Sequence, residues 1–433
     1  MAEPSSAPAR RTAAMARPRL RIAVAFGTLL VIALPGLVLR LGGIEPPAPV
    51  GVLAFGATIV AAAFALAWAG EAAESEISSA LAIGLLAVIA ILPEYAVDLY
   101  FAYISGQDPS MAAYAAANMT GSNRLLLGIG WPVAVLAAYL VWRSRRRRAA
   151  AAGVGLPVPR RRFAVALQRG YELELGLLLV ASVLSLIVPL TGQLNLVLGV
   201  ALLALFIWYL YRASLGQPAE TEHRGVALAL TRLPRRSRRV VLVAVFAASA
   251  AVILVCAEAF AGSLVQTGRV LRVDDFLLVQ WLAPLASEAP EFIVALLFAA
   301  RGRGALALGM LLASKVNQWT ALVGSLPIAH LVGGGGWSLP MDGRQIEEFV
   351  LTIAQTLLGV AVLLDGRLSG RWAAALFALF ALTFVFPTTQ ARWLVAAGYA
   401  LVAIVVFLVN RSHLWRALRA PFAPAPPLTA RSE

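Results

Sequence analysis

Apolar runs recur along almost the whole chain, broken by short loops that carry arginine. Each run holds about 20 residues, enough to cross a hydrocarbon core roughly 30 Å thick. Twelve such spans are predicted, near 20–40, 50–70, 77–103, 111–142, 170–190, 194–212, 239–264, 276–300, 304–328, 346–365, 371–387 and 391–410. The pattern predicts an all-α polytopic membrane protein of about 12 transmembrane helices, because only helices and closed barrels satisfy their own backbone in lipid. The fourth span is longer than a straight crossing needs, and Gly128-Ile129-Gly130-Trp131-Pro132 supplies a place for it to kink.

Polar positions inside these runs are few and grouped. The stretch from Trp281 to Pro327 holds two spans joined by Arg301-Gly302-Arg303-Gly304. The first is interrupted by Pro290 and carries Ser287, Glu288 and Glu291; the second carries Lys315 and Asn317 about halfway along. A weaker copy lies earlier, with Pro93-Glu94 and Asp98 in one span and Asn118-Met119-Thr120-Gly121-Ser122-Asn123 in the next. A charge at the bilayer centre costs about 2.5–3.5 kcal/mol on insertion scales, so such residues face a bundle interior or a cavity. In each Pro-Glu pair the proline removes a backbone donor and frees a carbonyl one turn earlier, beside a carboxylate that suits Na⁺, Ca²⁺ or H⁺. Glu94 and Asp98 share a helical face, as do Glu288 and Glu291. A bland reading, a proline kink with a satisfied glutamate, weakens because the pair occurs twice. Lys315 is the chain's single lysine. It lies about 16 Å from either end of its span at helical rise, where an ammonium needs a partner, with Glu94, Glu288 and Glu291 the candidates. Glu71 and Glu258 are candidates to flank the path, whereas Glu172, Glu174, Glu347 and Glu348 open their spans and read as boundary residues.

Composition narrows the class. At 433 residues, 60% hydrophobic and 13% charged, the chain is no ordinary soluble domain. The net charge of +14 does not indicate nucleic acid, because the arginines sit in loops between apolar runs instead of striping one soluble face. Cys256 has no second cysteine to pair with, and three scattered histidines give no zinc pattern. No cofactor is indicated; the partners implied are the lipid bilayer and a small cation.

Arginine clusters at 10–21, 143–162, 212–239, 301–303, 367–371 and 411–419 alternate with arginine-poor loops. With twelve spans, all these clusters fall on one side, which sets both termini in the cytoplasm of a prokaryotic plasma (inner) membrane. Glu94 and Glu291 are 197 residues apart, and Asn123 and Asn317 are 194 apart. Spans two to six and seven to eleven therefore predict two inverted five-helix repeats with broken helices at a midplane site. The chain divides into a cytoplasmic tail (1–19), an extra N-terminal helix (20–49), a first repeat (50–212), a cytoplasmic linker (213–238), a second repeat (239–388), a C-terminal helix (389–410) and a second tail (411–433).

Pro93-Glu94 with Ala117–Asn123, and Ser287–Glu291 with Asn317, resemble the alpha-repeats of the sodium/calcium exchanger superfamily, the calcium/cation antiporters. Those repeats read Gly-Thr-Ser-x-Pro-Glu followed by Gly-Asn-x-x-Gly-Ser-Asn. The resemblance implies that Glu94 and Glu291 are the central carboxylates for the transported cation, with Asn118, Ser122 and Ser287 as further ligands. Departures accompany it: Ala90-Ile91 stands for Thr-Ser, Glu288 for a serine, and Lys315-Val316-Asn317 for Gly-Ser-Asn. The lost hydroxyls and the added ammonium favour protons as counter-ion. The leading expectation is a secondary cation antiporter, not an enzyme, exchanging Ca²⁺ or Na⁺ for protons by alternating access. The alternatives are a sodium/calcium exchanger with altered sites, a non-transporting membrane homologue, and an intramembrane enzyme.

Overall fold

The computed structural model describes residues 7–73, 95–151, 163–167, 170–215, 225–272, 274–386 and 388–423. In chain order the first helices are α1 (Ala7–Leu41), α2 (Ala48–Ala73), α3 (95–104) and α4 (Ala112–Leu125), the last running through a π-helical turn at Leu126–Gly130 into α5 (Trp131–Ala151). Then come β1 (Ala164–Ala166), α6 (Glu172–Leu184), α7 (Ile187–Thr191), β2 (Gln193–Asn195), α8 (Leu196–Ser214), α9 (Gly225–Thr231) and α10 (Arg235–Leu271). The second half continues with α11 (Asp275–Ser287), α12 (Ala289–Ala300) and α13 (Gly304–Asn317), which passes through a second π-helical turn at Gln318–Leu322 into α14 (Val323–Val332). It closes with β3 (Ser338–Pro340), α15 (Gly343–Leu363), β4 (Arg367–Ser369), α16 (Gly370–Val385), α17 (Thr389–Val409) and α18 (Arg411–Arg419).

The protein is an all-α integral membrane protein. Among the described residues, eight helices are long and apolar enough to cross a membrane, or nine if α11 and α12, bent by 59°, form one span. Most of the described part of each stretch read as a span is helical, including 95–104 of the third, with breaks at 185–186 and 288.

The described residues fall into two compact units, one drawn from 7–96 and 213–272, the other from 97–212 and 274–423. In the first, small residues on α2 let its neighbours come close, the usual device where lipid supplies no hydrophobic drive between helices. Gly36 of α1 lies against Thr58 and the Ala54 carbonyl, and Thr58 Oγ1 donates to the Ala33 carbonyl at 3.0 Å. Ala69, Ala72 and Ala73 pack with Ala227 and Leu230 of α9 and Leu242 of α10.

In the second unit α4 crosses α11 so tightly that a Cβ on Gly121 would sit 1.7 Å from the Gln280 carbonyl oxygen. Two short antiparallel ribbons join distant loops: β1 pairs with β4, Ala164 opposite Ser369, and β2 pairs with β3, Gln193 opposite Pro340. β1 and β2 stand at opposite ends of the α6–α7 segment, and β3 and β4 at opposite ends of α15. The ribbons are thus separated by a helix length of about 30 Å at 1.5 Å per residue.

Candidate functional site

Two interruptions of helix build the site. Glu288 ends α11 with φ −95° and ψ −4°, and α12 restarts with proline in its first turn, where a missing N–H costs nothing. α13, which packs beside α12, enters its π-helical turn immediately after Asn317. Such turns leave the backbone ladder out of register and are frequent at functional sites.

α13 and the turn that follows it present Ser314, Lys315 and Gln318 toward these breaks. Ser314 Oγ donates to Glu291 Oε2 at 2.6 Å, and Gln318 Nε2 donates to Glu288 Oε1 at 2.6 Å. Lys315 is 1% exposed; its Nζ donates to the Asn123 carbonyl at 2.7 Å and lies 5.8 Å from the centre of the Trp319 ring. That carbonyl belongs to the last turn of α4 just before the π-helical turn at 126–130. One ammonium thus bridges the polar stretch of the first half to that of the second, and its neighbours Ser314 and Gln318 hold two glutamates. Glu288 is 2% exposed and Ser287 buried, the serine hydroxyl donating to the Ala283 carbonyl at 3.1 Å. Asn317, half-buried, ends α13.

On α4, the predicted hydroxyls and amides bond mainly within their own helix. Thr120 Oγ1 donates to the Ala116 carbonyl at 2.7 Å, Ser122 Oγ to Met119 at 3.1 Å, and Asn123 Nδ2 to Met119 at 3.0 Å. Thr120 Oγ1 also accepts from Gln280 Nε2 at 3.4 Å, across the Gly121 crossing. Asn118 and Asp98 are fully buried, and the Asn118 amide is a side-chain partner of the Asp98 carboxylate. A buried carboxylate facing a single amide keeps spare lone pairs, and burial of such a group is costly unless they are met.

The structure therefore brings Ser287, Glu288, Glu291, Lys315 and the Asn123 backbone together. Glu94 lies outside the described residues. Glu71 and Glu258 belong to the other unit, where Arg40 of α1 pairs with the Glu258 carboxylate. Among the described residues no three His, Cys, Asp or Glu side chains are grouped to hold a metal ion.

Two sets of residues escaped the sequence reading. Ser314 of α13 and Gln318, which opens the π-helical turn after it, hold the two glutamates; their spacing of four was the available signal. Glu347 and Glu348, expected at a span boundary, are instead buried in a charge network. Arg124 pairs with Glu348 and donates to Thr383 Oγ1 at 2.8 Å; Arg392 Nη1 reaches Glu348 Oε1 at 2.9 Å and Glu347 Oε1 at 3.4 Å. The Arg124 guanidinium also lies 5.1 Å from the Trp281 ring centre. The physical reason is tertiary: α4 and α17 cover this face of α15 and bring two arginines onto it.

A family model described as sodium/calcium exchanger protein matches the chain twice, over residues 47–215 and 241–409. A crystal structure titled H+/Ca2+ exchanger CAX is 34% identical, with a TM-score of 0.86, over 94% of this chain and 98% of that one. A selenium-substituted structure titled Ca2+/H+ antiporter protein YfkE shares the fold at 16% identity, with a TM-score of 0.56 over 86% of this chain and 99% of that one. No curated protein matches the chain.

Proposed function

Because the chain belongs to the sodium/calcium exchanger protein family, a family of membrane transporters, we propose that it is a secondary antiporter exchanging Ca²⁺ or Na⁺ for protons by alternating access. The observation that carries this reading is the set of contacts from α13 to the α11–α12 break, where Ser314 and Gln318 steady the carboxylates of Glu291 and Glu288 beside the buried Lys315. A hard cation seeks anionic and carbonyl oxygens in such a setting, and a proton competes for the same carboxylates. The relative at 34% identity is titled a H+/Ca2+ exchanger, which favours Ca²⁺ and protons over a sodium-coupled cycle with altered sites.

In this reading Glu94 and Glu291 are the central carboxylates, Glu288, Ser287, Asn118, Ser122, Asn123 and Asn317 line the binding region, and Asp98, Thr120, Glu71 and Glu258 flank the path. The architecture is twelve spans in two inverted repeats, with both termini cytoplasmic in a prokaryotic inner membrane. Support for the inversion comes from the ribbons. Exchanging the two halves turns the β1–β4 pairing into the β3–β2 pairing, and the two ribbons lie at opposite ends of the same helices.

The test is flux in proteoliposomes. Purified protein should drive uptake of radioactive calcium, or sodium, against an imposed pH gradient, and each cation transported should be accompanied by proton movement in the opposite direction. Cation flux that ignores the pH gradient but follows a sodium gradient would support the sodium-coupled alternative. Absence of any flux from well-folded protein would favour a non-transporting homologue.

A further inference from the structure

The chain does not end its ordered course at the last membrane-length helix. After α17 the backbone turns at Asn410 and forms α18, which packs on α6. Its sequence divides cleanly by face: Leu414, Ala417 and Leu418 turn inward, while Arg411, Trp415, Arg416 and Arg419 are exposed. The inward side is seated closely, because Gly176 of α6 meets the Ala417 carbonyl where no side chain would fit. The turn that follows is also fastened. Trp208 Nε1 donates to the Pro421 carbonyl at 3.0 Å, and Arg212 donates to the Ala423 and Ala420 carbonyls at 2.5 and 3.3 Å.

Position along the helices fixes where this assembly lies. α17 ends beside it, α6 begins beside it, and the last turns of α8 hold it. All three are membrane-length segments or parts of them, so α18 lies at the level where spans leave the hydrocarbon. Trp415 is 60% exposed and Phe422 69% exposed. Two large aromatics at that level, interleaved with three exposed arginines, match an interfacial helix whose rings enter the headgroup boundary and whose cations meet negative charge. Glu172 and Asp365 stand near Tyr171 with Arg416, which leaves Arg411 and Arg419, either side of Trp415 on one helical line, as the outward cationic pair.

We infer that α18 and the turn 420–423 form a binding site for anionic phospholipid headgroups of the adjoining leaflet. Arg411 and Arg419 contact lipid phosphate, Trp415 and Phe422 enter the acyl boundary, and Arg212 and Trp208 hold the segment in place.

Spin-labelled phosphatidylglycerol and spin-labelled phosphatidylcholine, each in proteoliposomes of the full-length protein, provide a direct readout that does not depend on transport. The wild-type protein should restrict phosphatidylglycerol several-fold more strongly than phosphatidylcholine. The combination Arg411→Gln, Arg416→Gln and Arg419→Gln should bring that ratio close to one; these side chains are exposed, so the fold is not at risk. The same charge removed at the exposed end of α5, by Arg143→Gln, Arg147→Gln and Arg148→Gln, should leave most of the preference. Inorganic phosphate added in excess should not abolish it. Retention of the preference in the α18 variant would overturn the assignment, as would an equal loss in the α5 variant or full displacement by free phosphate.

Discussion

Lys315 is the charge that the proposed cation site would have to accommodate. Its ammonium occupies the Asn123 carbonyl at 2.7 Å, and the neighbouring positions 314 and 318 hold the carboxylates of Glu291 and Glu288. In the proposed cycle a cation bound by those carboxylates is repelled by this charge, and repulsion between like charges a few Å apart in a partly dry site is on the order of several kcal/mol. The proposal predicts that cation entry is linked to displacement of the lysine or of its proton. Replacement by alanine removes the competitor and exposes the Asn123 carbonyl. Lys315→Ala should tighten or preserve cation binding, weaken proton coupling, and change the charge moved per cycle, as read by calcium flux and membrane current across a pH series. A purely structural lysine would instead give lower thermal stability with an unchanged pH profile and unchanged charge per cycle in the surviving flux. Glu291 carries a second prediction. Glu291→Gln keeps the shape and the contact with Ser314 but loses the anion, so exchange should vanish while insertion and melting temperature persist. Ser314→Ala, which removes one hydrogen bond to a charged acceptor worth roughly 1.5 kcal/mol, should weaken apparent cation affinity about tenfold and leave maximal exchange largely intact.

At the scale of elements, the breaks decide which residues meet. The Pro-Glu interruption at α11–α12 was legible in the sequence because proline inside an apolar run has few other meanings. The π-helical turns were only half visible. Gly128, Gly130 and Pro132 mark a weak point in the first, but Gln318–Leu322 contains neither glycine nor proline. The Arg124–Glu348–Arg392 network was not legible at all. Glu347 and Glu348 follow the Asp342–Gln345 capping box of α15, a setting that in isolation describes an exposed helix start. Their burial comes from partners 224 and 44 residues away in the chain, and no local pattern encodes that. Breaking a buried pair by removing one partner typically costs about 3–5 kcal/mol. Arg124→Met should therefore lower the melting temperature sharply. Arg124→Met combined with Glu348→Gln should recover part of the loss, since fewer uncompensated charges remain. The crossing at Gly121 gives a cleaner failure: a side chain there would enter the Gln280 carbonyl, so Gly121→Leu should prevent α4 and α11 from packing and abolish recoverable folded protein.

Across the whole molecule the arginines and the ribbons bear on one question, the orientation of the halves. The arginine clusters at 143–162 and 367–371 flank β1 and β4, whereas β2 and β3 lie in the arginine-poor loops at 191–195 and 333–342. Charge and pairing thus sort the same way: one ribbon joins two basic loops, the other two neutral ones. Loops that keep arginine tend to stay on the cytoplasmic side, which predicts the β1–β4 ribbon in the cytoplasm and the β2–β3 ribbon on the opposite face. Cys256 is the chain's single cysteine and is buried, so single introduced thiols report position with little background. Gln193 and Arg367 are exposed, one in each ribbon. In intact cells a membrane-impermeant maleimide should label Gln193→Cys and spare Arg367→Cys; after permeabilisation both should react. Reporter fusions after Arg148 and after Arg419 should both indicate cytoplasm. Labelling of both thiols in intact cells would place the ribbons on one face and remove the two-fold inversion. Labelling of Arg367→Cys alone would keep the inversion and reverse the orientation of the entire protein, termini included.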